Sequence, residues 1–229
     1  LGGQLRHAQF VSFKWPLERF RQYLIHQVNI REIPVHLNRP ATPELLSSKE
    51  YDLVLAAVGA APVIPPIPGV DGANVIPAEA VFGHAEGLGR QVVVVGGGEI
   101  GVETALYLCQ MGSEVTILEQ KDTLAADAAP MHYRTILQAQ WEGQSCLHIL
   151  TRAVCTRITQ EAIFFRDDSG TEQCVPCSGV VLATGTLGRQ KEALSFYGTA
   201  PRFELAGECT VRGGLERVLR SAYCTACRI

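Results

Sequence analysis

No stretch of this 229-residue sequence approaches the roughly 18 consecutive apolar residues that a bilayer-crossing helix needs, and its first residues lack the charged-then-apolar layout of a secretory signal. No run of lysine and arginine stands out, and the formal net charge of -3 offers no basic footprint for nucleic acid. Neither nucleic acid nor a membrane is therefore expected as a partner, and the expected location is cytoplasmic. Methionine is scarce, occurring at Met111 and Met131, and the sequence opens on Leu1-Gly2-Gly3 without an initiator, so a longer polypeptide is expected. No repeat of fixed period occurs. What is present is an ordinary globular composition, 47% hydrophobic and 19% charged. The eight cysteines are scattered through strand and helix patterns of a chain long enough to build its own core, which favours reduced thiols over disulfide staples.

Leu17, Phe20, Leu24 and Val28 recur at helical spacing and predict a helix over 16–28. Residues 33–37 read as a short strand and 52–58 (DLVLAAV) as a buried strand running into Gly59, while the proline-rich 62–69 reads as a linker. The clearest unit follows: a strand at 91–95 (QVVVV), a glycine turn, a helix over 100–111, Gly112 as its stop, and a second strand at 115–119. Beyond it, a helix is predicted at 132–141, and alternating runs at 147–150, 153–158 and 162–166 suggest a small antiparallel section with a turn at 167–170. A buried strand at 179–183 ends in Thr184-Gly185, a strand at 202–206 enters Gly207-Glu208-Cys209, and 215–229 reads as a closing helix.

The turn Gly96-Gly97-Gly98-Glu99-Ile100-Gly101 carries the chemistry. Glycines alone mark many turns, but here a strand enters, a helix leaves and an acid follows. Gly96 permits the tight turn, Gly98 lets backbone approach a pyrophosphate, and Gly101 lets helix pack close to strand. The helix start offers unpaired N–H groups and a positive dipole end to phosphate. Glu119, at the end of the second strand, stands where a carboxylate meets ribose hydroxyls and repels a 2′-phosphate. NADH is favoured over NADPH, with Lys121 leaving NADP open. Glu103, in the first helical turns, either compensates the helix dipole or faces the nicotinamide.

The chain resembles the carboxy-terminal module of the NADH:flavin oxidoreductases related to 2,4-dienoyl-CoA reductase, enoate reductase and trimethylamine dehydrogenase. The matching stretches are 1–5, 41–44, 51–59, 65–72, 96–105, Ala183-Thr184-Gly185 and Ala206-Gly207-Glu208-Cys209, in the family's order. The resemblance implies an α/β fold in which a Rossmann-like NAD(P)H-binding domain (84–188) is inserted into a truncated FAD-binding domain (1–83 and 189–229), of the pyridine nucleotide-disulfide oxidoreductase type. It further implies that Gly2, Gly3 and Gln4 lie near FAD, that Gly59 closes one side of the flavin domain, and that Gly207 and Glu208 return to the flavin. Glu208 replaces the family's usual aspartate. The first β-α-β unit of the flavin domain would precede Leu1, so weak or absent FAD binding, and dimerisation through exposed sheet edges, are expected of these residues alone. A TIM barrel with FMN and a 4Fe-4S centre is implied further upstream.

Three functions remain open: an electron-input module passing hydride from NAD(P)H to FAD, a nucleotide-binding scaffold without turnover, and a pyridine nucleotide-disulfide reductase using Cys174 and Cys177. The pairs Cys174/Cys177 and Cys224/Cys227 stand too far apart for a zinc ribbon, and the second is read as helix packing. The six histidines form no metal or nucleophilic arrangement, and no side chain is expected to act as acid or base.

Overall fold

Helix and strand alternate along the computed structural model, which describes residues 1–128, 132–210 and 213–229. Two 3-10 segments, Gly3–Phe10 and Ser12–Lys14, lead into helix α1 (Trp15–Ile30). Helix α2 (Pro43–Ser47) is capped by the Thr42 hydroxyl, which accepts the Leu45 N–H at 3.2 Å. Strands β1 (Leu53–Ala56), β2 (Ala60–Pro62) and β3 (Val75–Pro77) precede the short helix α3 (Ala78–Val81). Then come β4 (Gln91–Val95), α4 (Glu99–Gln110), β5 (Glu114–Glu119), α5 (Tyr133–Trp141) and β6 (Leu147–Thr151). Strands β7 (Val154–Ile158), β8 (Ala162–Arg166), β9 (Glu172–Pro176), β10 (Gly179–Leu182) and β11 (Thr186–Gly188) follow, then α6 (Gln190–Leu194), β12 (Arg202–Leu205) and α7 (Leu215–Ala226).

By packing, the chain divides into one unit of residues 1–33 and 64–185 and another of residues 34–63 and 186–229. The first is built on a parallel sheet in the order β3-β10-β4-β5-β6. Its central strand is the valine run, paired with β10 on one side and β5 on the other. Val92, Val94, Ile117 and Val181 face the α4 side, packing with Val102, Ala105, Leu108 and Leu137. Val93, Val95 and Leu118 face the opposite side, against Ile158, Ile163 and Phe165 of the antiparallel sheet β7-β8-β9. Apolar cover on both faces is why the strand needs valine at every position instead of alternation.

Three differences from the sequence reading have physical reasons. Residues 147–150 were expected in the antiparallel section, but β6 pairs in parallel with β5 from Val115↔Leu147 to Glu119↔Thr151, and the third antiparallel strand is β9. Residues 33–37 form no strand: Ile33, Val35 and Leu37 are exposed, and Pro34 lacks an N–H to donate. The first 33 residues and 64–83, expected with the flavin segments, pack in the unit of the glycine turn. Phe10 meets Phe82 and Tyr107 at ring separations of 5.9 and 5.7 Å, and β3 bonds to β10.

In the second unit β1 and β12 pair in parallel from Leu53↔Arg202 to Ala56↔Leu205, and β2 pairs antiparallel with β11. Val54, Ala56, Ala193, Phe196 and Cys209 form its core. Among the described residues β1 has strand β12 as its one neighbour, and Leu55 is 44% exposed. No helix of the described residues is long and apolar enough to cross a membrane.

Candidate functional site: the glycine turn after β4

The turn from β4 into α4 is shaped by what will not fit in it. Gly96 takes φ 103°, a left-handed value, and its N–H donates to the Leu118 carbonyl at 2.8 Å. A Cβ on Gly101 would lie 1.9 Å from the Gly96 carbonyl oxygen. Helix and strand can therefore approach this closely only with glycine at that position. Ala183-Thr184 at the end of β10 lies against the same turn, the Ala183 carbonyl falling 2.4 Å from where a Gly96 Cβ would be. Thr184 is thus brought to the turn, and Gly185 takes φ 98° where the chain leaves this unit.

Glu119 is buried beside the turn. Its Oε2 accepts the Gly97 N–H at 2.6 Å and its Oε1 the Lys121 N–H at 2.8 Å. Each carboxylate oxygen keeps a further lone pair, so these bonds hold the acid in place while leaving it able to accept further hydrogen bonds.

Helix α4 begins at Glu99 with Gly98 as a cap that has no side chain. The Glu99 N–H is accepted instead by Asp127 Oδ1 at 2.8 Å. Burial first, then the charge of Glu103, pushes the Glu99 carboxyl up to about 7, with Lys14 opposing the shift. Glu103 itself is buried, ion-paired with Lys14 Nζ at 2.5 Å and accepting the Tyr133 hydroxyl. The Lys14 ammonium also lies 5.6 Å from the centre of the Tyr133 ring. Burial raises the Tyr133 hydroxyl well above its ordinary value, so it remains a donor to Glu103. Glu103 is therefore held by specific partners, in addition to any interaction with the helix dipole. Lys14, Tyr133 and Asp127 escaped the sequence reading, because they reach the turn from residues 89, 30 and 28 positions away from Glu103 or Glu99.

The remaining positions named from the sequence fall in both units. Gly2 and Gly3 take φ 108° and 51° at the start of the first 3-10 segment, which includes Gln4, and Gly2 sits against Arg21. In the second unit Gly59 takes φ 75° and accepts the Arg189 N–H at 3.0 Å, while the Gly207 N–H donates to Ser221 Oγ at 3.2 Å. Partial burial pushes the Glu208 carboxyl above its ordinary value.

The cysteines separate by exposure. Cys174 projects outward from β9, whereas Cys177 is buried in the core, where desolvation pushes its thiol up to about 11. Cys224 and Cys227 are both exposed, so they do not pack as expected, and Thr225 is the residue that turns inward, its hydroxyl donating to the Leu205 carbonyl at 3.2 Å.

The sequence matches the family described as pyridine nucleotide-disulphide oxidoreductase over residues 33–208. Over 99% of its length it is 30% identical to a bilirubin reductase of Mediterraneibacter gnavus (strain CC55_001C), covering 35% of that protein. Over 83% of its length it is 27% identical to a cinnamate reductase of Clostridium sporogenes, covering 28% of that protein. A solved 2-naphthoyl-CoA reductase in complex with 2-naphthoyl-CoA superposes on 100% of this chain and 34% of its own, with a TM-score of 0.92 and 23% identity. At that identity the likeness is one of fold. The chain spans about a third of the length of these relatives.

Proposed function

Since the chain belongs to the pyridine nucleotide-disulphide oxidoreductase family, we propose that it is the electron-input module of an NADH-dependent flavin oxidoreductase. The observation that carries this reading is the convergence, at one turn, of glycines with no room for a Cβ, the start of a 12-residue helix, and a buried carboxylate at the next strand end. These residues fit a dinucleotide: Gly96, Gly97, Gly98, Glu99, Ile100 and Gly101 meet the pyrophosphate through backbone, and Glu119 takes the ribose hydroxyls. Glu119 also disfavours a 2′-phosphate, which makes NADH the preferred form. Glu103, fixed by Lys14 and Tyr133, and Thr184-Gly185 border the nicotinamide side.

FAD would be held by Gly59, Gly207 and Glu208 of the second unit, which is the flavin side of this reading, and the unit of the glycine turn is the nicotinamide side; Gly2, Gly3 and Gln4, which the resemblance also assigns to FAD, lie in that first unit. A β1 strand paired on one side supports weak FAD binding by these 229 residues alone, and an edge open to a second copy. The nicotinamide and flavin supply the hydride chemistry, so the protein's part is binding and orientation, and none of its side chains acts as acid or base. The names of the relatives, reductases of cinnamate, bilirubin and 2-naphthoyl-CoA, support an enoate- or dienoyl-type acceptor reduced elsewhere in a longer enzyme, and the family resemblance implies that such an enzyme carries an upstream barrel, FMN and a 4Fe-4S centre.

The test pairs two measurements. Titration of the protein with NADH and NADPH, read by nicotinamide fluorescence, should show binding with NADH preferred. The full-length enzyme should oxidise NADH with an artificial acceptor. Binding without oxidation would assign a nucleotide scaffold instead, and binding of neither nucleotide would overturn the reading altogether.

A further inference from the structure

A second carboxylate, besides Glu119, lies at the glycine turn. Asp127 Oδ1 accepts the Glu99 N–H at 2.8 Å, and a Cβ on Gly98 would lie 2.9 Å from Asp127 Oδ2. The carboxylate thus rests at the first turn of α4, where unpaired N–H groups and the positive end of the helix dipole attract an anion. The loop that carries it is clamped onto the turn at other points. The Ala125 N–H donates to the Gly97 carbonyl at 2.7 Å, and a Cβ on Gly97 would lie 2.4 Å from Leu124 Cδ2. Leu124, Ala125 and Ala128 are buried, and Ala125 takes φ 49°, a left-handed conformation that a non-glycine residue adopts at a cost. Against this anchored backbone the Asp127 side chain is exposed. It can rotate away without the loop leaving its place.

We propose that Asp127 is a built-in occupant of the pyrophosphate position, which a dinucleotide must displace, and that this residue sets the affinity of the site. The inference rests on the dinucleotide reading given above. Capping and phosphate binding draw on the same Glu99 N–H, so the two states exclude each other. A carboxylate and a pyrophosphate at that spot also repel, since both are negative. The free protein gains a capped helix, and the dinucleotide pays for the release of that cap on binding.

The experiment compares the protein with Asp127→Ala and Asp127→Asn by NADH titration, with circular dichroism to establish that each variant is folded. Asp127→Ala should bind NADH about tenfold more tightly, the order expected when an exposed helix-terminal carboxylate and its repulsion are removed. Asp127→Asn should fall between, since the amide oxygen can still accept the N–H but carries no charge. Inorganic pyrophosphate should compete with NADH more strongly in Asp127→Ala than in the parent. NADH affinity unchanged or weakened in Asp127→Ala, with the parent binding normally, overturns the role of Asp127 alone. Failure of the parent and both folded variants to bind NADH overturns the dinucleotide reading and this inference together.

Discussion

Gly101 has no space for a methyl group, because its Cβ would sit 1.9 Å from a backbone oxygen that cannot move without opening the turn. Gly101→Ala is expected to lower stability by about 2 kcal/mol and to abolish NADH binding, as thermal denaturation and nucleotide titration would show. The Lys14–Glu103 pair is nearly as enclosed, with side-chain exposures of 15% and 6%. Desolvation makes such a pair a weak source of net stability, but losing one partner strands the other charge. Lys14→Met should therefore cost about 3 kcal/mol in urea denaturation. Glu99 supplies a pH test. Its folded carboxyl is raised from 4.5 to about 7, so between those values the folded state binds the proton that the unfolded state has released. Stability is present in full below about pH 4.5 and declines as pH rises through about 7, by about 1–2 kcal/mol once the part exposure of the group is allowed for. Glu99→Gln should abolish that decline and leave the variant more stable than the parent at pH 8. Equal slopes in the two proteins would count against a half-buried, elevated Glu99.

At the scale of elements, the β4-α4-β5 unit was readable because each of its parts has a local cause: an apolar run covered on both faces, a glycine turn, and Gly112 at φ 91° ending the helix. Residues 147–150 were misplaced because alternation identifies a strand without naming its neighbour, and the pairing with β5 is a long-range choice. Strand β9 went unread because Gln173 and Cys174 carry little apolar signal, although their backbone pairs with Phe165 and Phe164. The ion pair of Glu103 was invisible for the same reason as β6: Lys14 reaches it through tertiary packing, with no helical or strand spacing to announce it. The pleat of β9 also separates the first cysteine pair, turning Cys174 outward while Cys177 enters the core past the strand's end. Iodoacetamide should accordingly label Cys174, Cys224 and Cys227 in the native protein and spare Cys109, Cys177 and Cys209, as peptide mass spectrometry would record. Cys174→Ser should leave NADH oxidation by the full-length enzyme unchanged. A large loss would restore the disulfide reductase reading.

Across the whole molecule, each packing unit has its own apolar core. The first has two clusters, one on each face of the five-stranded sheet, and the second a smaller one around Val54, Phe196 and Cys209. A unit with its own core can open on its own, and a ligand protects the unit whose folded form it binds. At a concentration of 100 times its Kd, a nucleotide stabilises that form by about 2.7 kcal/mol. Native-state hydrogen exchange with and without NADH should therefore slow amides across β4, α4, β5 and β10, most of all at Gly97, Gly98 and Glu99. Amides of β1, β12 and α7 should change little. FAD should give the reverse pattern only weakly, because β1 and β12 form a two-stranded parallel sheet, and parallel strands are stable chiefly inside larger sheets covered on both faces. Strong NADH protection centred on β1 and β12 would move the nicotinamide site to the other unit and overturn the assignment of the glycine turn.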